Sequence, residues 1–525
     1  MASPTGSALA SPLPSIRVRT RRIEDTLDRL KKTHTNELVF ALCGPIGSPL
    51  HAVAAELNKL LTEKFDYECE TIRLSEFIRE HGAPPAAGIS EYERKVHLIA
   101  EGDKLRNQHG KGVLANLGIS RVYEKREEAK DASESTRFLP KRVCHIFDSI
   151  KNQQELDILR TVYGKLLFCI GVFSPLEFRV DNMKAAPMDV WEVYKLIDQD
   201  SGEEIEHGQT VRDTFPQADF FLKVDSKVAD QTAEKVERLL NLITRVEICT
   251  PTNEENAMYF AASAGMNSAC LSRQVGAAVT DKDGQILGVG WNDVPKFGGG
   301  LYGATEEKKK TDQRCMNLDG GTCFNDREKK QIARTAVKAL QKAGILSEAD
   351  TEKAVDTIFK SKVKDLIEFS RAVHAELHAI IHASQECGTQ MRGGKLYCTT
   401  YPCHSCARHI IASGLSEVFY IEPYRKSLAT SLHGDAITEA TDVAGKVKLI
   451  PYEGVAPRRF VELFEMRPHS RKKDGKKIST PPQSAQAVIG VSLESFPVLE
   501  AFIVDELGDK GLIPKTAAPN EQSAS

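Results

Sequence analysis

Four side chains able to bind a proton or a metal ion, His374, Glu376, His378 and His382, crowd nine positions of the stretch AVHAELHAIIHAS at residues 372–384. The same stretch offers Ala372, Val373, Leu377, Ile380 and Ile381 to a core at helical spacing. Further on, Pro402-Cys403-His404-Ser405-Cys406 opens a second helical segment, CHSCARHIIASG. Cysteines at i and i+3 face one side of a helix, and the positive end of that helix favours thiolates. A fold that serves both segments must bring the starts of two helices together. His374, Cys403 and Cys406 then hold one ion with a fourth position left to water, the pattern of a catalytic zinc site. Glu376, two residues past His374, stands beside the ion, where a carboxylate takes a proton from metal-activated water and hands it on. A closed zinc-stabilised turn without chemistry needs a fourth protein ligand and leaves Glu376 without a task. His378, His382 and His404 read as polar positions on the helix surface or as partners of neighbouring groups.

At 525 residues the chain is too long for one core, since single cores stop growing near roughly 250 to 300 residues. Residues 1–35, rich in Ser, Pro and Arg, read as a flexible tail. An α/β unit follows at 36–246, the metal-bearing unit at 250–467 with an insertion at about 296–364, and a partly flexible C-terminal extension at 468–525. A net charge of -3 lacks the basic excess of a domain that holds a polynucleotide along a channel. The longest apolar runs are too short to cross a bilayer, and the N-terminal stretch has no apolar signal core. Cys43, Cys144, Cys169 and Cys398 are single residues inside apolar runs rather than a disulfide framework. A cytoplasmic location and no membrane partner are expected.

From Glu37 to Val246, short apolar strands (ELVFALCG, RVCHIFDSI, KLLFCIGVF) alternate with helical segments (HAVAAELNKLL, QQELDILRTVYG), which argues for a parallel sheet covered by helices. In the second unit, QVGAAVTDKDGQILGVGWN reads as a hairpin turning at Asp283-Gly284.

His-x-Glu followed by Pro-Cys-x-x-Cys is the known signature of zinc deaminases, and the stretch from about Pro251 to Glu465 resembles the cytidine deaminase superfamily, most of all its deoxycytidylate (dCMP) branch. The resemblance implies an α/β/α domain, zinc ligands His374, Cys403 and Cys406, and proton shuttle Glu376. It also implies nucleotide contacts from Asn292 and, on segments that face the pocket in the family, from Arg273, Tyr420, Tyr424, Arg425 and Lys426. Water activated at a single catalytic Zn2+ adds to C4 of cytosine while Glu376 protonates N3 and then the amine. The chain departs from the branch in carrying Trp291-Asn292-Asp293 where Tyr-Asn-Gly is usual, and in its larger insertion. Cys315 and Cys323, seven residues apart in that insertion, read as ordinary thiols ahead of ligands for a second, structural zinc.

ELVFALCGPIGSPLHAVAAEL has the strand, turn and helix of a phosphate-binding loop, with Gly44, Gly47 and Ser48 able to meet phosphate through backbone and hydroxyl groups. Pro49, Leu50 and His51, however, stand where that loop carries its second glycine, its lysine and its magnesium-binding hydroxyl. Residues 37–244 are similar to nucleoside and dephospho-coenzyme A kinases, with Asp148 ending a central strand. The broken motif favours a nucleotide-sensing module, then a scaffold that shapes oligomers, and last an active kinase. A degenerate P-loop kinase-like parallel sheet fused to a dCMP-deaminase-like domain resembles bacterial anti-phage dCTP deaminases. That family implies deoxycytidine nucleotides as substrates; a regulatory nucleotide at the first domain, a homo-oligomer, and an inhibitory regulator, RNA or protein, are expected beside it. A housekeeping dCMP deaminase is the nearest alternative; a polynucleotide-editing deaminase and a non-catalytic zinc scaffold are the others.

Overall fold

The computed structural model describes residues 33–135, 137–184, 188–200, 211–225, 229–422, 427–440, 442–466, 471–487 and 489–515. Two six-stranded sheets organise it.

The first sheet begins with β1 (Leu38–Cys43), whose six residues are all buried. Such an unbroken apolar run belongs to a strand with both faces covered. Helix α1 (Leu50–Glu63) follows, then β2 (Glu68–Arg73), α2 (Val113–Ala132), β3 (Val143–Ile150), α3 (Gln153–Tyr163), β4 (Leu167–Phe173), β5 (Phe220–Lys223) and α4 (Ala229–Thr244). These five strands are parallel in the order β5-β4-β1-β3-β2. The order reverses at β1, so the turn after it sits at the crevice where open α/β sheets bind ligands. Gly44 in that turn has no alternative, because a Cβ there would lie 2.2 Å from the Val172 carbonyl oxygen.

The second sheet follows α5 (Asn253–Gly265), which is capped by reciprocal bonds between Thr252 and Glu255. Its elements are β6 (Gly276–Thr280), β7 (Ile286–Trp291), α6 (Ala375–Cys387), β8 (Lys395–Thr400), α7 (His404–Ser413), β9 (Glu417–Glu422), β10 (Ile437–Thr438) and β11 (Val447–Pro451). Strands β6 and β7 form the antiparallel hairpin expected from Asp283-Gly284, with Gly284 at φ +92°. Strand β8 pairs antiparallel with β6, while β8, β9, β11 and β10 run parallel. Gly288 and Gly290 on β7 let α6 lie directly on the sheet, since a Cβ at Gly290 would be 2.3 Å from the Ala379 nitrogen and 2.5 Å from the Ala375 oxygen.

The two sheets are joined by more than the linker. Strand β12 (Gly454–Val455) lies in sequence beyond the second sheet but pairs antiparallel with β5 of the first. Glu255 accepts from the Val455 nitrogen at 2.9 Å and from Arg238 of α4 at 2.8 Å. Residues 471–478, in a stretch whose composition reads as flexible, form a hairpin of β13 (Lys472–Lys473) and β14 (Lys476–Lys477). The last helix, α8 (Ser495–Asp509), docks on α2 and α3, with Phe496 edge-on to Tyr163 at 5.6 Å. Beneath it the buried Arg126 binds Glu37 at 2.6 Å and Glu500 at 2.8 Å. Among the described residues no helix is long and apolar enough to cross a membrane.

Candidate active site

His374 does not lie within a helix, as its spacing suggests, but caps one: its backbone is extended at φ -74° and ψ 151°, and α6 starts at the next residue. Cys403 is likewise the cap of α7, with its sulfur accepting from the Cys406 nitrogen at 3.4 Å. Two helix starts therefore face each other across the site. The His374 Nδ1 lies 3.4 Å from the sulfur of Cys403 and 3.4 Å from that of Cys406. A tetrahedral zinc with its usual N and S bond lengths sets that edge at roughly 3.5 Å. All three donor atoms lie within 4.8 Å of one another, and among the described residues this is the one such group of His, Cys, Asp or Glu. The donor set therefore fits zinc with a position left over.

The Cys403 thiol is brought down to about 4, first by its hydrogen bond with Cys406, which favours the thiolate that zinc binds. Glu376, in the first turn of α6, is 3% exposed, and burial pushes its carboxyl above the usual range. Such a group holds a proton more readily than an exposed glutamate.

The other histidines hold the scaffold. The Trp291 nitrogen donates to His378 Nδ1 at 3.1 Å, and His382 Nδ1 meets the Val289 backbone at 3.1 Å, so both tie α6 to β7. His404 Nε2 lies 3.7 Å from the Glu368 carboxylate. Asn292 is spent within the chain: its oxygen accepts from the Val275 nitrogen at 2.7 Å and its amide donates to the Arg273 carbonyl at 2.9 Å. The Arg273 guanidinium pairs with Glu422. Tyr420 is buried edge-on to Tyr401 at 4.8 Å, and burial pushes its phenol pKa up. Tyr424, Arg425 and Lys426 lie outside the described residues. Cys315 and Cys323 line a small cavity with Cys270 and, among the described residues, are not gathered with a third donor at ligand spacing.

Three further residues carry no motif. Among the described residues, the Trp291 indole N–H and the Thr400 hydroxyl are buried without a hydrogen-bond partner, one beside His378 and the other at the strand end leading into Cys403. Asp293, in place of the family's glycine, accepts from the Ala269 nitrogen at 2.9 Å and lies 3.5 Å from the buried Arg314 of the insertion. Its carbonyl takes the Val373 N–H at 2.9 Å, immediately before His374. The only sequence signal for this clamp was the departure from the family pattern.

In the first sheet, Gly44, Gly47 and Ser48 form the β1–α1 turn, with Gly47 at φ +85°. Its carbonyls are held from outside: Lys151 donates to Gly44 at 3.0 Å, Arg179 to Ile46 at 2.7 Å and Asn182 to Gly47 at 2.9 Å. The Ser48 hydroxyl is buried without a hydrogen-bond partner. Leu50 is buried, and His51 pairs with the buried Asp148.

Residues 251–422 match the family model of the cytidine and deoxycytidylate deaminase zinc-binding region. That segment contains β6 to β9 and the His/Cys/Cys group, so this part of the chain is a zinc-binding deaminase domain. Several of its relatives bear the name deoxycytidylate deaminase. The deoxycytidylate deaminase of Enterobacteria phage T4 is 27% identical over 160 residues, 30% of this chain and 72% of the phage protein. ComE operon protein 2 of Bacillus subtilis (strain 168) is 39% identical over 56 residues, 11% of this chain and 29% of that one. The dCMP deaminase from the cyanophage S-TIM5, solved with dCMP and dUMP, is 20% identical and aligns over 39% of this chain and 99% of its own, at a TM-score of 0.23.

Proposed function

We propose that the chain hydrolyses the 4-amino group of deoxycytidine nucleotides, giving deoxyuridine nucleotides and ammonia. The observation that carries this reading is the meeting of two helix starts, which sets three zinc donors within 4.8 Å of one another beside the buried Glu376. Zinc, when bound, lowers the pKa of a water towards neutrality. Glu376 takes a proton from that water and gives it to cytosine N3, then moves the second proton to the 4-amino group. One water is consumed: its oxygen ends on C4, one of its protons stays on N3, and the other leaves in ammonia as the C4–N bond breaks. The unpartnered Trp291 N–H and Thr400 hydroxyl supply polar contacts to the bound base. Arg273 meets a phosphate by exchanging its Glu422 partner, with Asn292 holding the Arg273 backbone in place. Tyr420, edge-on to Tyr401, supports the wall behind, and Tyr424 is assigned to the same nucleotide site by its family position.

The finer reading is depletion of dCTP as an antiviral defence, supported by the fusion of the deaminase unit to an α/β unit that closes its sheet with β12. In this reading the Gly44–Ser48 turn binds a regulatory nucleotide without transferring its phosphate. The second reading, a dCMP deaminase of ordinary pyrimidine metabolism, is favoured by the phage T4 relative's designation. Turnover of dCTP, dCMP and cytidine by the purified chain, together with deoxynucleotide pools in phage-infected cells with and without it, decides between them. Selective dCTP loss on infection supports the defence reading. Turnover of dCMP alone, with unchanged dCTP pools, supports the other.

A further inference from the structure

We propose that the hairpin of Arg471–Lys477 is a docking ribbon for duplex DNA. Seven residues, RKKDGKK, carry five cations and one carboxylate, all of them exposed. Asp474 and Gly475, at φ 51° and 78°, make the tight turn, the geometry that matches the twist of two short strands. The bond from the Ile478 nitrogen to the Arg471 oxygen at 2.9 Å closes the far end. Register then sets Lys472 opposite Lys477 and Lys473 opposite Lys476. Like charges directly opposite on a ribbon repel, yet among the described residues no carboxylate forms an ion pair with these four lysines. The repulsion is relieved by an external anion, and each face of the ribbon offers it a pair of ammonium groups. A two-stranded ribbon fits the major groove of B-form DNA, whereas the deep groove of A-form RNA is too narrow to admit it. Phosphate contacts from lysine carry no base information, so the binding is independent of sequence.

Five phosphate contacts give a salt slope of roughly -4.5, so affinity falls about 500-fold between 50 and 200 mM salt. The test is fluorescence anisotropy of the full chain with a labelled mixed-sequence DNA duplex, the matching RNA duplex, and phosphatidylserine vesicles as competitor. The expected result is DNA binding with that steep slope. Changing the four lysines together to glutamine flattens the slope to about fourfold over the same range. Circular dichroism and deaminase turnover of that variant stay unchanged, because all four lysines are exposed and none belongs to the zinc donor group. Absence of DNA binding at 50 mM salt, binding unaffected by the four changes, or tighter binding to the RNA duplex or the vesicles overturns the proposal.

Discussion

Gly290→Ala tests how the sheet positions the chemistry. A Cβ at this position would sit 2.3 Å from the Ala379 nitrogen, where ordinary contact begins near 3.4 Å. Both close neighbours, Ala379 N and Ala375 O, are backbone of α6, so no side chain can rotate away and the helix must withdraw by roughly 1.1 Å (3.4 less 2.3). His374 and Glu376 at its start move with it. A displacement of about 1 Å costs about 100-fold in turnover, and overpacking costs about 1–3 kcal/mol in stability. The stretched donor set also retains less zinc. The assay is ammonia release from deoxycytidine nucleotides, with zinc content and denaturant unfolding measured on the same samples. Gly303→Ala is the control, because a Cβ there has nothing within 4 Å. A Gly290→Ala protein with undiminished zinc and turnover would refute the claim that α6 rests on β7 to aim the site.

Other outcomes follow from the same geometry. Glu376→Gln lowers turnover by at least about 100-fold while zinc content is retained, read by metal analysis beside the activity assay. Removing zinc with a chelator abolishes turnover, and zinc restores it, because among the described residues the His374, Cys403 and Cys406 donors include no fourth protein ligand. Arg126→Ala leaves Glu37 and Glu500 buried without their cation and costs about 3–5 kcal/mol, measured by urea unfolding. Asp293→Gly removes the carboxylate that accepts from the Ala269 nitrogen and lies 3.5 Å from Arg314, while the backbone bond to Val373 and the Arg314–Asp312 pair remain. It lowers kcat without removing zinc, seen by steady-state kinetics on metal-replete protein.

What the sequence revealed depended on the range of the interaction. The zinc donors and Glu376 were legible because each pair lies within one helical turn or cap, where spacing alone fixes direction. The β6–β7 hairpin was legible for the same reason, its Asp283-Gly284 turn being a local signal. Strand β12 was not, since two residues have no periodicity and their partner, β5, lies more than 200 positions earlier. The caps differed from expectation by one residue: His374 and Cys403 stand outside their helices because both backbones are extended. Asn292 is expected at the nucleotide from the resemblance alone; its bonds to Val275 and Arg273 depend on tertiary neighbours that no local pattern marks. The clamp between Asp293 and Arg314 joins an insertion to a strand end, and only the unusual Asp at position 293 hints at it.

The most direct test of the account is uracil-nucleotide release from dCTP and dCMP by the full chain, with Glu376→Gln run in parallel and zinc quantified in both. The account predicts turnover of at least one of the two nucleotides by the native chain, lost in the variant at equal zinc. Equal turnover by both proteins, or a zinc-loaded native chain inert towards both nucleotides in the presence of phage-infected cell extract, would contradict it.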